Sequence, residues 1–380
     1  MTVKEKEQEL MIKDRMTRIR KAAALEQPDR VPVVLEYASF AARVTKTPLP
    51  EFLLSAERSV EVMIAAYQLI ADVAEADAVN FGQFSPYDLS YLWMSEVKVP
   101  GVDLPENASY QIVEKELMTV EDYDYILDKG WRDFYRSFLR DRAFRDVPSQ
   151  YLPRNQPRID ARKAWARIGV PVLQSGVIAP PFEFLSGARS LESFFMDLID
   201  MPDKVQAAMD VMVPGMVEPV CRHAMTQGYP CVWVGGWRGN PTMISPEIWN
   251  RFFWPYFRNI VIEVTTHGLI PILHLDSNWN RALRRFRELP KGKVILALDG
   301  FTDIFKAKKI LGDHLCLMGD VPATMLCFKD PDMVYQYSSK LISELGPKGF
   351  ILQSGCDIPE NAKLENVQAM VAAAHETLLH

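Results

Sequence analysis

From residue 169 onward, apolar runs of strand length alternate with helical stretches without a break, and few folds accept that order. The strand runs lie near 172 and at 231–235, 269–275, 293–298, 315–319 and 349–354. Helical apolar spacing fills 190–200, 202–227, 246–267, 279–287, 302–311, 331–345 and 361–378. Consecutive strands joined by helices pair in parallel through right-handed crossovers. Two earlier strands, near 33 and 79, bring the candidates to about eight, so the pattern predicts an α/β chain closed into a (β/α)8 TIM barrel. A doubly wound open sheet is the competing architecture, but no G-x-G-x-x-G turn or P-loop stands at the end of any strand.

Around that core, residues 1–30 read as a charged helical lead-in that stops at Gln27-Pro28-Asp29-Arg30. The stretch 100–168 is less regular. Its Pro148, Pro153 and Pro157, and the Arg/Asp series from Arg132 to Arg145, predict an inserted cap of helices and loops. No linker rich in Gly and Ser divides the chain, so 1–380 is expected to form a single barrel domain. With 48% hydrophobic and 24% charged residues, such a chain can bury a large core.

A formal charge of −6 offers no basic field for nucleic acid or an anionic membrane, and neither is expected as a partner. No apolar run approaches the roughly 20 residues needed to cross a bilayer, and the first fifteen residues lack a secretory apolar segment. The expected location is the cytoplasm. Five scattered cysteines, Cys221, Cys231, Cys316, Cys327 and Cys356, do not form a disulfide framework. The first four read as small buried hydrophobes, whereas Cys356 stands just past a strand.

Barrel chemistry sits at the carboxyl ends of the strands. In chain order those ends carry Glu36 and Tyr37; Asn80, Phe81 and Gln83; Gln174 and Ser175; Trp237 and Arg238; His274, Asp276 and Asn278; Asp299; Asp320; and Ser354, Cys356 and Asp357. Of six histidines only His274 falls at such a position, since His223, His267 and His375 fall on helices, His314 precedes its strand and His380 is terminal. Side chains alternate along a strand, so His274, Asp276 and Asn278 point the same way. Zinc binds imidazole, carboxylate and thiolate, and His274, Asp276 and Cys356 can supply three ligands while leaving a position open. A hydrogen-bonded pair that orients a loop is the other reading of His274 and Asp276. Asp299 and Asp320 either cap the segments after them or bond a polar substrate. Tyr37, Phe182, Trp237 and Trp254 either wall an aromatic pocket or pack the core. Arg281, Arg284, Arg285 and Arg287 read as a solvated helix face.

Several longer motifs carry a family resemblance. Ile244-Ser245-Pro246-Glu247 ahead of Trp254-Pro255-Tyr256, His274-Leu275-Asp276, Leu317-Met318-Gly319-Asp320-Val321-Pro322 and Gly349-Phe350-Ile351-Leu352-Gln353-Ser354-Gly355-Cys356-Asp357-Ile358-Pro359 resemble the uroporphyrinogen decarboxylase superfamily. Asp29-Arg30-Val31-Pro32-Val33 resembles its opening strand. The chain looks most like the corrinoid-dependent methyltransferase branch. In the decarboxylase proper, the resemblance would imply an Arg-rich loop after the first strand for a polycarboxylate substrate. Here Glu36, Tyr37 and Phe40 occupy that place, with no arginine until Arg43.

In the thiol-methylating branch, the resemblance implies a zinc held by a His-x-Cys pair and a distant Cys. His274 and Cys356 match, while Asp276 stands where the first Cys would be. A carboxylate keeps the ligand charge of a thiolate but donates less electron density, which hardens the metal as a Lewis acid and suits an oxygen ligand. The expectation is therefore a small methylated substrate, such as a methyl ether, whose methyl group passes to the Co(I) corrinoid (cobalamin) of a partner protein. His274, Asp276 and Cys356 would hold zinc. Glu36, Asp299 and Asp320 would carry the proton or orient the substrate, and Tyr37, Phe182, Trp237 and Asn278 would contact it. A homodimer stays open. The alternatives are methyl transfer from a methylated corrinoid to a thiol of the coenzyme M type, decarboxylation of a small acid, and binding without turnover.

Overall fold

The computed structural model describes residues 2–377, so His380 and the last residue of the expected helix 361–378 lie outside the described residues. Among the described residues ten strands form: β1 Val34–Leu35, β2 Ala78–Val79, β3 Val97–Lys98, β4 Gln111–Ile112, β5 Val177–Ile178, β6 Cys231–Gly236, β7 Ile270–Leu275, β8 Ile295–Leu298, β9 Cys316–Val321 and β10 Phe350–Ser354. Strands β5 to β10 make one parallel sheet in sequence order. Short contacts close it into a ring. Val33 bridges Leu352, β1 pairs with β2 in parallel, Val79 bridges Val172, and the Leu173 carbonyl accepts from the Cys231 N–H. The run 172–174 is thus the third stave of a (β/α)8 barrel, and β5 is its continuation toward β6.

The strands are apolar on both faces because both faces are covered. Val34, Ala78, Leu173, Cys231, Ile272, Ile295, Cys316, Met318 and Ile351 fill the barrel, mostly from the starts of their strands. Their neighbours Val33, Leu35, Val232, Val234, Leu273, Leu296, Leu317 and Leu352 face the helical layer. Met16, Ile19, Ala22 and Ala23 of helix Val3–Ala23 join the interior cluster, so the lead-in helix stoppers the barrel at its amino-terminal end. Arg18 of the same helix holds Asp77, which also accepts from Arg30 and from the Val33 N–H. With that end filled, a ligand enters at the carboxyl ends of the strands.

Helices Leu191–Asp200, Pro202–Gln227, Ile304–Leu311, Pro331–Leu345 and Leu364–Glu376 stand where apolar spacing put them. Two assignments need correction. The helix expected over 246–267 is divided by a π-helical turn, Trp249–Phe253, and the one over 279–287 is a 3-10 helix, Leu283–Glu288. In the second case Trp279 N–H bonds to Thr302, which ties the segment into a loop before a helix can start. Nor is the Arg281–Arg287 face merely solvated: the Arg285 guanidinium lies 5.3 Å from the ring of Trp254, itself a core residue. The section 100–168 contains helices Glu121–Lys129, Trp131–Phe138 and Ala161–Ala166, and the antiparallel pair β3–β4 beside it was not anticipated. Helices Asp88–Trp93 and Pro181–Arg189, also unanticipated, complete the mouth. Among the described residues, no helix is long and apolar enough to cross a membrane.

Candidate metal centre and its cavity

His274 lies one residue before the end of β7, paired with Gly235 of β6, and its ring stacks on Trp233 at 5.2 Å. Its Nε2 is 3.4 Å from Asp276 Oδ1 and 3.6 Å from Cys356 Sγ. One ligand atom from each of the three residues lies within 4.8 Å of the others. A tetrahedral zinc with bonds of about 2.0–2.1 Å to nitrogen and oxygen and about 2.3 Å to sulfur separates N from O by roughly 3.3 Å and N from S by roughly 3.6 Å. The imidazole therefore already stands at ligand spacing from both of its partners, and the donor set fits zinc.

Backbone devices hold the triad in place. Ser277 adopts φ 73°, a left-handed conformation unusual for a side chain other than Asn, Asp or Gly. Asp299 compensates: its Oδ2 accepts the Ser277 N–H at 2.6 Å and its Oδ1 the Phe301 N–H at 2.9 Å. Thr302 donates to the Ser277 carbonyl, and the Trp279 indole N–H donates to the Asp276 carbonyl at 2.7 Å. On the opposite strand end, Gly355 packs on the Asp299 backbone, where a β-carbon would sit 2.5 Å from the carbonyl oxygen. Only glycine allows that approach, and it fixes where Cys356 emerges. Ser354 Oγ then donates to the Cys356 carbonyl at 2.6 Å.

Glu36, at the end of β1, is buried and accepts from Asn80 Nδ2 and, at 3.0 Å, from Gln353 Nε2. Its other oxygen lies 3.9 Å from His274 Nδ1, an orienting partner of the kind that fixes a ligand imidazole. Burial disfavours the imidazolium of His274, but Glu36, Asp276 and Cys356 outweigh it and hold its proton affinity well above the histidine range. Burial pushes the Cys356 thiol up, which His274 only partly offsets. Burial and Glu36 raise Asp357 to about 7. A cation at this point displaces protons from the imidazole and the thiol.

The triad opens on a cavity of about 480 Å³. Glu36, Tyr37, His274, Asp276, Cys356 and Asp357 line its inner end. Phe81, Phe84, Tyr91, Trp93, Tyr229 and Trp233 make aromatic walls. Tyr37 presents its ring while its hydroxyl is tied to the Met63 carbonyl at 2.8 Å.

Five of the expected site residues do not reach this space. Phe182 is fully buried between Phe194 and Phe253, edge to face with both, because it opens a helix that packs on the core. Trp237 stands one layer back, 5.5 Å from Trp93. Its N–H, with those of Arg238 and Gly239, donates at 2.9 Å to the buried carboxylate of Glu183, which turns the chain away from the mouth. Asn278 closes a local turn by accepting from the Asn280 N–H. Asp299 spends both carboxylate oxygens on the backbone of the loop after β7 and of its own loop. Asp320 accepts from the Tyr337 hydroxyl at 2.8 Å and so faces the helical layer, where burial raises it to about 7. Cys221, Cys231, Cys316 and Cys327 are buried, as expected.

Conversely, Trp93, Tyr91, Tyr229 and His223 line the cavity without having been singled out for it. His223 sits on helix Pro202–Gln227, as its sequence position indicates, and reaches the cavity from there, while His274 is the histidine at a strand end. Trp233 was legible: period-two alternation puts it on the same face as Gly235, the partner of His274.

Known proteins resemble this chain in sequence and fold. The chain is 29% identical over 129 residues to a uroporphyrinogen decarboxylase from Dichelobacter nodosus, a match spanning 34% of this chain and 36% of that protein. It is 24% identical over 235 residues to the methylcobamide:CoM methyltransferase MtaA of Methanosarcina barkeri, spanning 60% of this chain and 67% of the relative. The chain thus spans about a third of the length of the one and two thirds of the other. Among solved structures, a methyltransferase from Methanosarcina mazei superposes with a TM-score of 0.69 at 19% identity, covering 95% of this chain and 98% of that one, which confirms the fold. The family model for uroporphyrinogen decarboxylase (URO-D) matches residues 160–377, a stretch that holds β5 to β10 together with His274, Asp276 and Cys356, and the chain belongs to that family.

Proposed function

We propose that this protein is a corrinoid-dependent methyltransferase that takes a methyl group from a small methyl ether, with zinc at His274, Asp276 and Cys356. The observation that carries the reading is the N–O and N–S spacing of 3.4 and 3.6 Å in a triad whose middle ligand is a carboxylate. Zinc held there would supply a Lewis acid for the ether oxygen, and the acceptor of the methyl group would be the Co(I) corrinoid of a partner protein, which would bring the electron pair of the new bond while the oxygen keeps that of the broken one. Breaking the carbon–oxygen bond leaves an alkoxide or phenoxide that needs charge stabilisation and a proton.

This chain's residues then divide the work. His274, Asp276 and Cys356 hold the ion, and Glu36 orients His274 through Nδ1. Asp357, on the cavity wall beside Cys356, is placed to pass a proton to the leaving oxygen. Asp299 positions the metal loop, and the aromatic walls keep water from the reacting bond. The similarity to methylcobamide:CoM methyltransferases favours a second reading, methyl transfer from a methylated corrinoid to a thiol.

Metal analysis of purified protein, followed by methyl-transfer assays with methoxylated aromatics and with thiols, separates the two. Stoichiometric zinc and ether demethylation in the presence of reduced corrinoid protein are expected. Thiol methylation without ether cleavage establishes the second reading instead.

A further inference from the structure

The cavity that begins at the metal centre leaves the barrel sideways. Among the described residues, none between 277 and 355 lines it, so the loops after β8 and β9 have no share in its wall. Its far end is lined instead by Ile159 and Ala161, ahead of the third stave, and by His223 and Gln227 near the end of helix Pro202–Gln227. Those residues belong to the layer outside the ring, whereas Glu36 and His274 are buried at its inner end. A space that touches both passes between staves.

The backbone shows where. The second and third staves are paired as far as the bond from the Gln174 N–H to the Asn80 carbonyl, at 3.2 Å. Beyond it, among the described residues, no backbone bond joins 81–84 to 175–178. Phe81, Gln83 and Phe84 line one bank of the cavity there, and Ser175 and Val177 the other. On its opposite edge the third stave carries a β-bulge: the Leu173 carbonyl accepts from the Cys231 N–H and the Gly176 carbonyl from the Trp233 N–H, so the stave advances three residues against two of β6. A bulge leaves the extra residue unpaired and re-aims side chains. Ser175, in the middle of a barrel wall, is accordingly exposed.

Outside the gap lies a second cavity, of about 570 Å³. Gln83, Phe84, Asp88, Ile159, His223 and Gln227 line both cavities, so the two meet at one neck. Tyr151, Pro153 and Gln156 cover one side of the outer space, and Gln156 ties that stretch down by accepting from the Ala56 N–H at 3.3 Å. Gln83, Asp88, His223 and Gln227 are exposed, while the walls nearer the metal centre are aromatic, so the route runs from water to an apolar interior.

We infer that this neck is a side entrance through which small molecules reach and leave the metal centre, which keeps the axial mouth free for a macromolecular partner. The use of the entrance rests on the corrinoid-partner reading, since a macrocycle brought to the centre along the axis covers the axial route. The route itself is tested with no partner present. Cys356 is the reporter, because the other four cysteines are buried. Metal-free, full-length protein is treated with iodoacetamide, and alkylation of Cys356 is followed by mass spectrometry at one pH, so that the thiolate fraction is fixed and access decides the rate.

His223→Trp combined with Gln227→Trp narrows the neck from the helix, and Ile159→Trp narrows it from the opposite bank. Each should slow alkylation at least about tenfold, whereas Asn278→Trp, exposed in the loop after β7, should leave the rate within about twofold. Tm and equilibrium zinc content should not change, because no metal ligand is touched. Residues with a merely structural role would lower Tm and leave the rate alone. Wild-type rates in both plugged proteins, or equal slowing by Asn278→Trp, overturn the side entrance. In methyl-transfer assays the plugged proteins should lose kcat/KM for the small substrate and keep the wild-type dependence on corrinoid protein. Slowed alkylation in a chain that moves no methyl group to or from a corrinoid keeps the entrance and defeats the methyltransferase reading instead.

Discussion

The two sides of the barrel mouth are built differently. On one side, β6, β7, β8, β9 and β10 run four to six residues each and deliver the metal triad within a frame of paired backbone. On the other, β1, β2 and β5 pair over two residues each, and the cavity wall comes from the loops and helix beyond β1 and β2: Tyr37, Phe81, Phe84, and Tyr91 and Trp93 on a six-residue helix. The family match at 160–377 takes in the first side and leaves out most of the second. Chemistry common to a family needs fixed distances, whereas choice of substrate needs a wall that can change without moving them.

The largest expected effect breaks the metal side alone. Cys356→Ala or His274→Ala should lower zinc affinity by more than about 100-fold, measured by metal analysis after dialysis against a chelator, because loss of even an outer partner costs roughly 10–100-fold. Thermal stability of the metal-stripped protein should stay near wild type, as both positions lie on the rim. Next comes Gly355→Ala, which adds a β-carbon 2.5 Å from the Asp299 carbonyl oxygen. It should cost about 1–3 kcal/mol of stability and displace Cys356, with zinc loss visible in the same assay.

Asp299→Ala removes the acceptor of the Ser277 N–H in the loop that carries Asp276, and that of the Phe301 N–H in its own loop, and a drop of about 10–100-fold in zinc affinity is expected with the ligands themselves intact. A normal affinity would show that the loop holds its shape unaided. On the opposite wall, Trp93→Ala should weaken aromatic substrate and leave zinc untouched, while Trp237→Ala, one layer back, should do less of the same. Loss of zinc in Trp93→Ala would erase the distinction between the two sides.

A further effect, independent of both sides of the mouth, concerns pH. Asp320, raised to about 7 in the folded state against 3.8 for its ordinary value, binds more protons folded than unfolded between those values. Stability should therefore fall as pH rises from about 4 to about 7, by at most about 1.4 kcal/mol per unit, and Asp320→Asn should flatten that slope in denaturant titrations. An unchanged slope in the variant would mean that the carboxyl is ionised across that range.

Strands buried on both faces write themselves as apolar runs, and for that reason the ring was legible down to its eight staves. His274, Asp276 and Cys356 were legible because a barrel puts its chemistry at strand ends, and one imidazole stood at such an end. The walls were not. Phe182 and Trp93 are both large aromatics on short helices that follow barrel strands, and nothing local in the chain says that the first turns into the core while the second faces the cavity. Glu183 gave no signal either, since a carboxylate that gathers three N–H groups from residues 237–239 is a long-range arrangement. Asp299 and Asp320 look alike in sequence, and only the packed structure shows one bracing a loop and the other bonded to Tyr337.

The stacking of Trp233 on His274 gives the protein an optical gauge of its own occupancy. Indole emission is quenched by a nearby imidazolium and changes when that proton is exchanged for a metal ion, so filling of the centre should register in the fluorescence of one tryptophan among eight. A Trp233→Phe variant would darken that signal while keeping an aromatic face against the ring.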